Sequence, residues 1–157
     1  MAETETLKVG DEAPDFELPN GNGGEKFKLS DHRGKNAVVI NFVPFAFSGV
    51  CSQQLPLVEQ KRADFSAQDA VAVAISCDHQ IAQDAWKQQM GIELPILSDF
   101  YPHGAVSQSY GVFLPKLGVA NRVVVVVGKD GKVAWIQPSE KLGALPDYDP
   151  VMACSKA

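Results

Sequence analysis

The stretch AVVINFV, residues 37–43, decides the fold because it reads as one apolar run. A continuous apolar run of this length is typical of a strand that is covered on both faces of a sheet. A second such run, AVAVAI, follows at residues 70–75. Between the two lies a segment with Leu55, Val58 and Phe65 on one helical face. The sequence therefore predicts a β-α-β unit with two central strands.

Shorter elements are predicted before and after this unit. Strands at residues 16–18 and 27–29 flank a turn rich in Asn and Gly at residues 19–24, which is typical of a β-hairpin. After the second central strand, Asp78 is in position to cap a helix that ends before Gly91. The expected apolar stripe of this helix consists of Ile81, Ala85, Trp86 and Met90.

The last part of the chain predicts a short strand, a short helix and an antiparallel hairpin, at residues 94–97, 103–110 and 122–136. A parallel first half and an antiparallel second half, with helices on both faces, describe an α/β domain with a mixed central sheet. We therefore expect a thioredoxin-like fold with an N-terminal β-hairpin. Such a fold does not assign a function, which has to come from a site.

Size and charge limit the classes of protein to consider. The chain has 157 residues, and 14 Lys and Arg against 19 Asp and Glu give a formal net charge of −5. This size predicts one domain over residues 1–157, with mobile ends of about six residues at the start and from Pro146 onward. An acidic chain without a cluster of Lys and Arg is not expected to bind nucleic acid.

No membrane segment is expected either. The longest unbroken run of Val, Leu and Ile residues, Val123–Val127, is far shorter than a membrane span. Residues 3–6, ETET, are acidic and polar, whereas a secretory or transit peptide needs basic and apolar residues. We therefore expect a cytoplasmic protein.

The segment PFAFSGVC, residues 44–51, carries the candidate site. It follows a central strand and opens a helix, at the edge where open α/β sheets collect ligands. A thiol in the first helical turn meets unpaired N–H groups and the positive end of the helix dipole, which favour the thiolate. Pro44 ends the strand, Ser48 offers a hydroxyl, and Gly49 lets backbone approach a ligand. The alternative is that Cys51 is a small core residue and Ser48 only a helix cap, but the surrounding residues favour a reactive thiol.

The pattern Pro44-x-x-x-Ser48-x-x-Cys51 resembles the peroxiredoxin active-site motif, Pro-x-x-x-Thr/Ser-x-x-Cys. The likeness extends to the stretches GDEAPDF, SDFYPHGAVS, YGV and NR, at residues 10–16, 98–107, 110–112 and 121–122. The central and later stretches are similar to the AhpE-type one-Cys peroxiredoxins of actinobacteria. This resemblance implies a thiol peroxidase that reduces hydrogen peroxide, organic hydroperoxides or peroxynitrite and needs no cofactor.

The resemblance also implies roles for individual residues. The motif cysteine of the family is the peroxidatic nucleophile, which corresponds to Cys51. The motif hydroxyl corresponds to Ser48, the shielding proline to Pro44 and a distant arginine to Arg122. Arg122 also stands at the mouth of an apolar strand, where a guanidinium needs an anionic or hydrogen-bonding partner, and a thiolate would serve. The alternative is a surface arginine whose side chain bends back to water.

A fast peroxidase needs more than a thiolate. A change that populates the thiolate also makes it a weaker nucleophile, so donors must stabilise the charge that moves along the O–O bond. Besides Ser48 and Arg122, the candidate donors are the backbone N–H groups of Val50 and Cys51, which Gly49 leaves open to substrate.

The sulfenic acid left by such a reaction must be reduced by a second thiol. The resemblance to one-Cys enzymes implies an external low-molecular-weight thiol or a thioredoxin- or glutaredoxin-like protein, and it implies a homodimer. Two further cysteines keep a two-Cys mechanism open as an alternative. Cys77 follows the strand at residues 70–75, at the same sheet edge as Cys51, and Cys154 lies near the end of the chain. Either could instead have no role in the reaction.

Other chemistries fit the sequence less well. A disulfide oxidoreductase needs C-x-x-C spacing, but positions 48 and 54 are Ser and Gln. A metal site is not expected, because Cys77-x-His79 has no second ligand pair at a suitable spacing. A Cys-His hydrolase needs an oriented His that the sequence does not show. A peroxide sensor or binding protein, in which oxidation of Cys51 changes a partner interface without efficient turnover, stays open as an alternative. Sustained peroxide consumption distinguishes a peroxidase from such a protein, which is oxidised once and stops.

Overall fold

The structure is a computed structural model that describes residues 3–156. Its strands are β1 (Glu17–Pro19), β2 (Lys26–Lys28), β3 (Ala37–Phe42), β4 (Ala70–Ser76), β5 (Ile96–Ser98), β6 (Phe113–Leu114), β7 (Val119–Ala120), β8 (Val123–Val127) and β9 (Val133–Pro138). Its α-helices are α1 (Gly49–Ala67), α2 (Gln80–Met90), α3 (Ala105–Ser109) and α4 (Asp149–Cys154). None of the described helices has both the length and the apolar character needed to span a bilayer.

Five strands form the central sheet, in the order β5-β4-β3-β8-β9. β3 lies at the centre, parallel to β4 and antiparallel to β8. Every residue of β3 is buried, which explains why its sequence is nearly all apolar. β1 and β2 pair as an antiparallel hairpin. The predicted mixed sheet and N-terminal hairpin are therefore confirmed.

Each face of the sheet carries its own apolar core. On one face, side chains of α1, α2 and α4 pack on the strands, among them Leu55, Val58, Phe65, Trp86 and Val151. On the other face, the hairpin and the α3 region contribute Phe16, Leu18, Phe27, Val106 and Tyr110. Full burial of a Leu or Val side chain contributes about 1.5–3 kcal/mol. Apolar burial therefore holds α1 on the sheet and fixes the position of its first turn.

The strand register brings two distant segments to one edge of the sheet. β3 ends at Phe42, and residues 43–48 lead from it into α1. Phe42 pairs with Val123 at the start of antiparallel β8. Arg122, one residue before Val123, therefore lies beside the turn that opens α1.

Helix α2 does not have the predicted cap. The side chain of His79 accepts a hydrogen bond from Ile81 N at 3.1 Å. Asp78 Oδ2 instead accepts bonds from Ala46 N and Ser76 Oγ, both at 2.7 Å. The prediction of an Asp78 cap is therefore wrong, because this carboxylate connects the turn after β3 to the end of β4.

The predicted apolar stripe of α2 is correct only in part. Trp86 is fully buried, but Ile81 is 59% exposed and Ala85 is exposed. A polar residue takes a buried place instead, because the Gln83 amide donates to Leu97 O at 2.9 Å. A pattern of apolar residues alone does not reveal a glutamine that is buried through its hydrogen bonds.

Both chain ends, which are predicted to be mobile, make defined contacts with the rest of the fold. Helix α4 lies in the stretch after Pro146, and its Val151 is buried. Gln68 Nε2 donates to Met152 O of this helix at 2.8 Å. Near the start, Thr4 Oγ1 donates to Tyr110 O at 2.7 Å. Residues 1, 2 and 157, which belong to the predicted mobile ends, lie outside the described residues.

Candidate active site

Cys51 lies in the first turn of α1 and is fully buried. The first helical hydrogen bond runs from Ser52 N to Ser48 O, at 2.9 Å. The first N–H groups of a helix have no partner within the helix, so the sulfur lies at the positive end of α1. Cys51 is a free thiol, as are the other two cysteines. The predicted position of Cys51 at the start of a helix is confirmed.

Arg122 brings a buried positive charge to this sulfur. Arg122 is only 3% exposed, and its Nη1 donates to Cys51 Sγ at 3.2 Å and to Gln54 Oε1 at 2.8 Å. Its Nε donates to Leu142 O at 2.9 Å. The ion pairs formed within residues 3–156 do not include Arg122. The oxygens that accept its hydrogen bonds, Leu142 O and Gln54 Oε1, are neutral. A negative charge on Cys51 Sγ would therefore give this buried guanidinium a counter-charge.

A chain of buried hydrogen bonds holds the guanidinium from behind. Gln54 Nε2 donates to the Tyr148 hydroxyl at 2.8 Å. The Tyr148 hydroxyl donates to Asn41 Oδ1, and Asn41 Nδ2 donates to Val73 O at 3.0 Å. Burial raises the pKa of Tyr148 far above its ordinary value, so this phenol keeps its proton. The chain connects the centre of the sheet to the arginine that contacts Cys51.

Ser48 supplies a hydroxyl that is unpaired within residues 3–156. It occupies the N-cap position of α1, yet its side chain makes no capping hydrogen bond. Its Oγ is buried and has no hydrogen-bond partner among the residues that the structure describes. Leaving a buried hydroxyl unpaired costs about 1–3 kcal/mol. This cost is removed when a bound molecule pairs with the hydroxyl, which favours a ligand role over a capping role.

A cavity of about 290 Å³ opens onto the cluster. Its lining combines residues from the turn after β3, the start of α1, the start of β8 and the segment before α4: Pro44, Phe45, Ser48, Gly49, Val50, Arg122, Leu142 and Gly143. Pro44 is buried, whereas Phe45 is 46% exposed at the mouth. The structure thus gathers the predicted residues Pro44, Ser48, Gly49, Val50 and Arg122 around one opening next to the Cys51 thiol.

The chemistry available here is that of a thiol and hydrogen-bond donors. Among residues 3–156, no three His, Cys, Asp or Glu side chains form a group that would hold a metal ion. The donors are a hydroxyl, a guanidinium and the N–H groups at the start of α1. Such donors stabilise negative charge that develops on a small oxygen-containing substrate.

Similarity to known proteins identifies the family. The pattern of the AhpC/TSA family matches residues 9–136. The chain belongs to the AhpC/TSA family. It is a peroxiredoxin, and thus an oxidoreductase with thiol-dependent peroxidase activity. The resemblance found in the sequence is confirmed.

Relatives of this peroxiredoxin cover most of the chain. Alkyl hydroperoxide reductase E of Mycobacterium tuberculosis is 40% identical over 137 residues, which are 85% of this chain and 89% of the relative. A thiol peroxidase of Oceanobacillus iheyensis is 34% identical over 147 residues, which are 93% of this chain and 87% of the relative. The crystal structure of peroxidoxin BcpB from Mycobacterium tuberculosis superposes with a TM-score of 0.82 and 29% identity, over 94% of this chain and 96% of that one. The thioredoxin-like fold is therefore confirmed.

Cys77 of this peroxiredoxin is separated from Cys51 by the sheet. It is 5% exposed, and its Sγ lies 3.9 Å from Ser107 Oγ of α3. Helix α3 packs on the face opposite to α1. Burial, together with the charge of Asp99, raises the pKa of Cys77 to about 11. At neutral pH this side chain is a protonated thiol.

Cys154 is half-buried at the end of α4. Gln68, which follows the last residue of α1, donates to Met152 O at 2.8 Å. This contact places the end of α4 at the carboxyl end of α1, whereas Cys51 lies at the amino end. The two ends are about 25 Å apart, since a helix rises about 1.5 Å per residue.

Sequence reasoning missed four residues of the site. Asn41 carried a signal, because it is the polar residue within the run at 37–43. Gln54 also carried one, because a residue three positions after Cys51 shares its helix face. Leu142 and Tyr148 carried no local signal, because only the tertiary fold brings their segments to the site.

Proposed function

We propose that Cys51 is the peroxidatic cysteine and that it reduces hydrogen peroxide, organic hydroperoxides or peroxynitrite. The observation that carries the proposal is the 3.2 Å hydrogen bond from the buried Arg122 guanidinium to Cys51 Sγ. The cavity lined by Ser48 and Arg122 supports it, because a small molecule bound there would lie against the guanidinium that contacts Cys51 Sγ.

The reaction begins with the Cys51 thiolate attacking the terminal oxygen of a hydroperoxide. An S–O bond forms as the O–O bond breaks, and the electron pair of the O–O bond leaves with the second oxygen. That oxygen takes up a proton and departs as water or an alcohol, while the sulfur is oxidised to a sulfenic acid. Negative charge therefore shifts from sulfur to oxygen along the line of attack.

Several residues of the site have separate roles in this step. The unpaired Ser48 hydroxyl and the N–H groups of Val50 and Cys51 donate to the peroxide oxygens. Arg122 stabilises the charge as it moves, in a buried setting where electrostatic effects are stronger than in water. Pro44 shields the sulfur from water. Gly49 leaves room for substrate, because, apart from its chain neighbours and the backbone of its own helix, no atom of residues 3–156 lies within 4 Å of the place where a side chain would begin.

The reductant in this proposal is an external thiol, either a small molecule or a thioredoxin- or glutaredoxin-like protein. A disulfide needs Cα atoms within about 7 Å of each other. The position of Cys77 across the sheet and that of Cys154 at the far end of α1 both favour an external reductant over internal resolution. Reduction by a thiol requires a thiol-rich compartment, which supports the expectation of a cytoplasmic protein.

We also propose a homodimer that forms near the site. Phe45 and Phe47 are 46% and 49% exposed in the turn that carries the motif, and Phe100 and Tyr101 are 44% and 85% exposed. Exposed aromatic residues of this kind are enriched at protein interfaces. Light scattering of the reduced protein is expected to give twice the chain mass, and a monomer at micromolar concentration would contradict this.

The decisive test is the intact mass of the reduced protein after one equivalent of hydrogen peroxide. The wild type should gain one oxygen atom, or a dimedone adduct that maps to Cys51, and Cys51→Ser should gain neither. A Cys77→Ser/Cys154→Ser variant should behave like the wild type. Loss of two hydrogens would instead identify a disulfide and a two-Cys mechanism. If oxidation occurs but a thiol reductant sustains no peroxide consumption, the sensor alternative holds.

A further inference from the structure

The buried hydrogen bonds behind Arg122 have a fixed direction. They begin at Val73 O, a backbone carbonyl, which can only accept. Asn41 must therefore turn its NH₂ group toward Val73 O, at 3.0 Å, and its Oδ1 toward Tyr148. A carbonyl oxygen of Asn accepts only, so Tyr148 donates its single hydroxyl proton to Asn41.

The same constraint continues through Gln54. Because the Tyr148 proton is held by Asn41, the Tyr148 oxygen must accept, and Gln54 Nε2 donates to it at 2.8 Å. Gln54 Oε1 is then left to face Arg122 Nη1, at 2.8 Å. If the amide rotated by half a turn, its NH₂ group would meet a guanidinium that also only donates. Two donors would then face each other in a buried site.

We propose that Tyr148 is a positioning residue for catalysis: it fixes the orientation of the Gln54 amide and thereby holds Arg122 on Cys51 Sγ. This inference rests on the proposed role of Cys51. Burial supports it, because Tyr148 is 4% exposed and Gln54 and Asn41 are fully buried, so water does not replace their hydrogen bonds. Tyr148 directly precedes α4, so the C-terminal segment forms part of the support of the active site.

The test compares variants by the rate constant for oxidation of Cys51 by hydrogen peroxide, measured by rapid quench and intact mass. Tyr148→Phe removes only the hydroxyl, so Gln54 Nε2 loses its acceptor and the amide is oriented only by its bond from Arg122. We expect oxidation to slow roughly tenfold, which is the lower end of the range of roughly 10- to 150-fold expected when the Arg122 hydrogen bond itself is lost. Tyr110→Phe is the matched control. Tyr110 is equally buried and its hydroxyl donates to Pro14 O at 2.7 Å, but it belongs to the core on the other face. Its loss should leave the rate unchanged.

Repeating the Tyr148→Phe substitution in a Gln54→Glu variant distinguishes a positioning role of Tyr148 from a general effect on packing. In Gln54→Glu, both side-chain oxygens accept, so Arg122 finds an acceptor whichever way the group is turned. Adding Tyr148→Phe to this background should change the rate less than about twofold, as expected when one residue acts through the other. A packing defect would slow both backgrounds equally, and that result would overturn the proposal. A wild-type rate in folded Tyr148→Phe would also overturn it.

Two further results keep the test decisive. Asn41→Leu removes the acceptor that holds the Tyr148 proton, so the Tyr148 hydroxyl can turn and is no longer fixed as an acceptor for Gln54 Nε2. Asn41→Leu should slow oxidation when position 54 is Gln but not when it is Glu. This variant takes the place of Tyr148→Phe in the test if Tyr148→Phe does not fold. If the wild type itself shows no oxidation that depends on Cys51, the proposed function fails. If the wild type reacts and both variants match it, only the role of Tyr148 fails.

Discussion

Replacing Arg122 with methionine removes the positive charge beside Cys51 and keeps a stem of similar length. Arg122 Nη1 lies 3.2 Å from Cys51 Sγ. With an effective dielectric constant of about 20, two unit charges at this separation attract by about 5 kcal/mol. A hydrogen bond to a charged group has a smaller net value, about 1.5–3 kcal/mol, because water solvates both groups in the reference state. A loss of that size slows a reaction roughly 10- to 150-fold.

We expect the rate constant for Cys51 oxidation by hydrogen peroxide, measured by rapid quench, to fall within this range in Arg122→Met. Alkylation of Cys51 by iodoacetamide should fall less, because it needs a thiolate but places no charge on a peroxide oxygen. Arg122→Lys keeps the charge but loses the forked donors, so its rate of oxidation by peroxide should lie between those of the wild type and Arg122→Met. Urea unfolding shows whether the variants fold. A folded Arg122→Met that reacts at the wild-type rate would refute the reasoning.

Three further outcomes follow from other residues. Ser48→Ala removes the unpaired hydroxyl and should slow oxidation of Cys51 by peroxide roughly tenfold. Ser48→Thr keeps a hydroxyl and should react faster than Ser48→Ala in the same assay. Equal rates for the two variants would contradict a donor role of Ser48. Burial raises the pKa of Cys77 to about 11, so the folded chain keeps a proton that the unfolded chain releases, and the free energy of unfolding should decline from about pH 8.5 toward pH 11. Urea unfolding of Cys77→Ala should show a shallower decline, and an identical slope would contradict the assignment. Burial opposes ionisation of Glu59, but hydrogen bonds from Arg62 and two backbone N–H groups lower its pKa overall. Glu59→Gln should therefore lose about 1 kcal/mol of stability above about pH 5, and the difference should shrink as the pH falls below about 4; a difference independent of pH would argue against it.

The central strands and the first helix of the site could be predicted from sequence because their signals are local. Continuous apolar runs at residues 37–43 and 70–75 correspond to β3 and β4. The turn between β3 and α1 was visible because Pro44 and Gly49 mark its ends. Arg122 was found from the resemblance and from its place at a strand end, and the register of β3 and β8 explains its position.

The parts that sequence did not predict depend on tertiary contacts. Helix α4 is six residues long, and it is held by the burial of Val151 rather than by local pattern. Asp78 looked like a helix cap because its spacing fits one, but its carboxylate has a stronger partner in Ala46 N across the sheet edge. The strands β6 and β7 have two residues each, too few to form a pattern. Tyr148 is 107 residues from Asn41 along the chain, so no local signal joins them.

The most direct test of Cys51 as the peroxidatic residue is sustained consumption of hydrogen peroxide in the presence of excess dithiothreitol. The wild type and Cys77→Ser/Cys154→Ser should both consume many equivalents of peroxide per chain at the same rate, and Cys51→Ser should consume none above the rate of the reductant alone. Turnover by Cys51→Ser, or loss of turnover in the double variant, would contradict a one-Cys mechanism centred on Cys51.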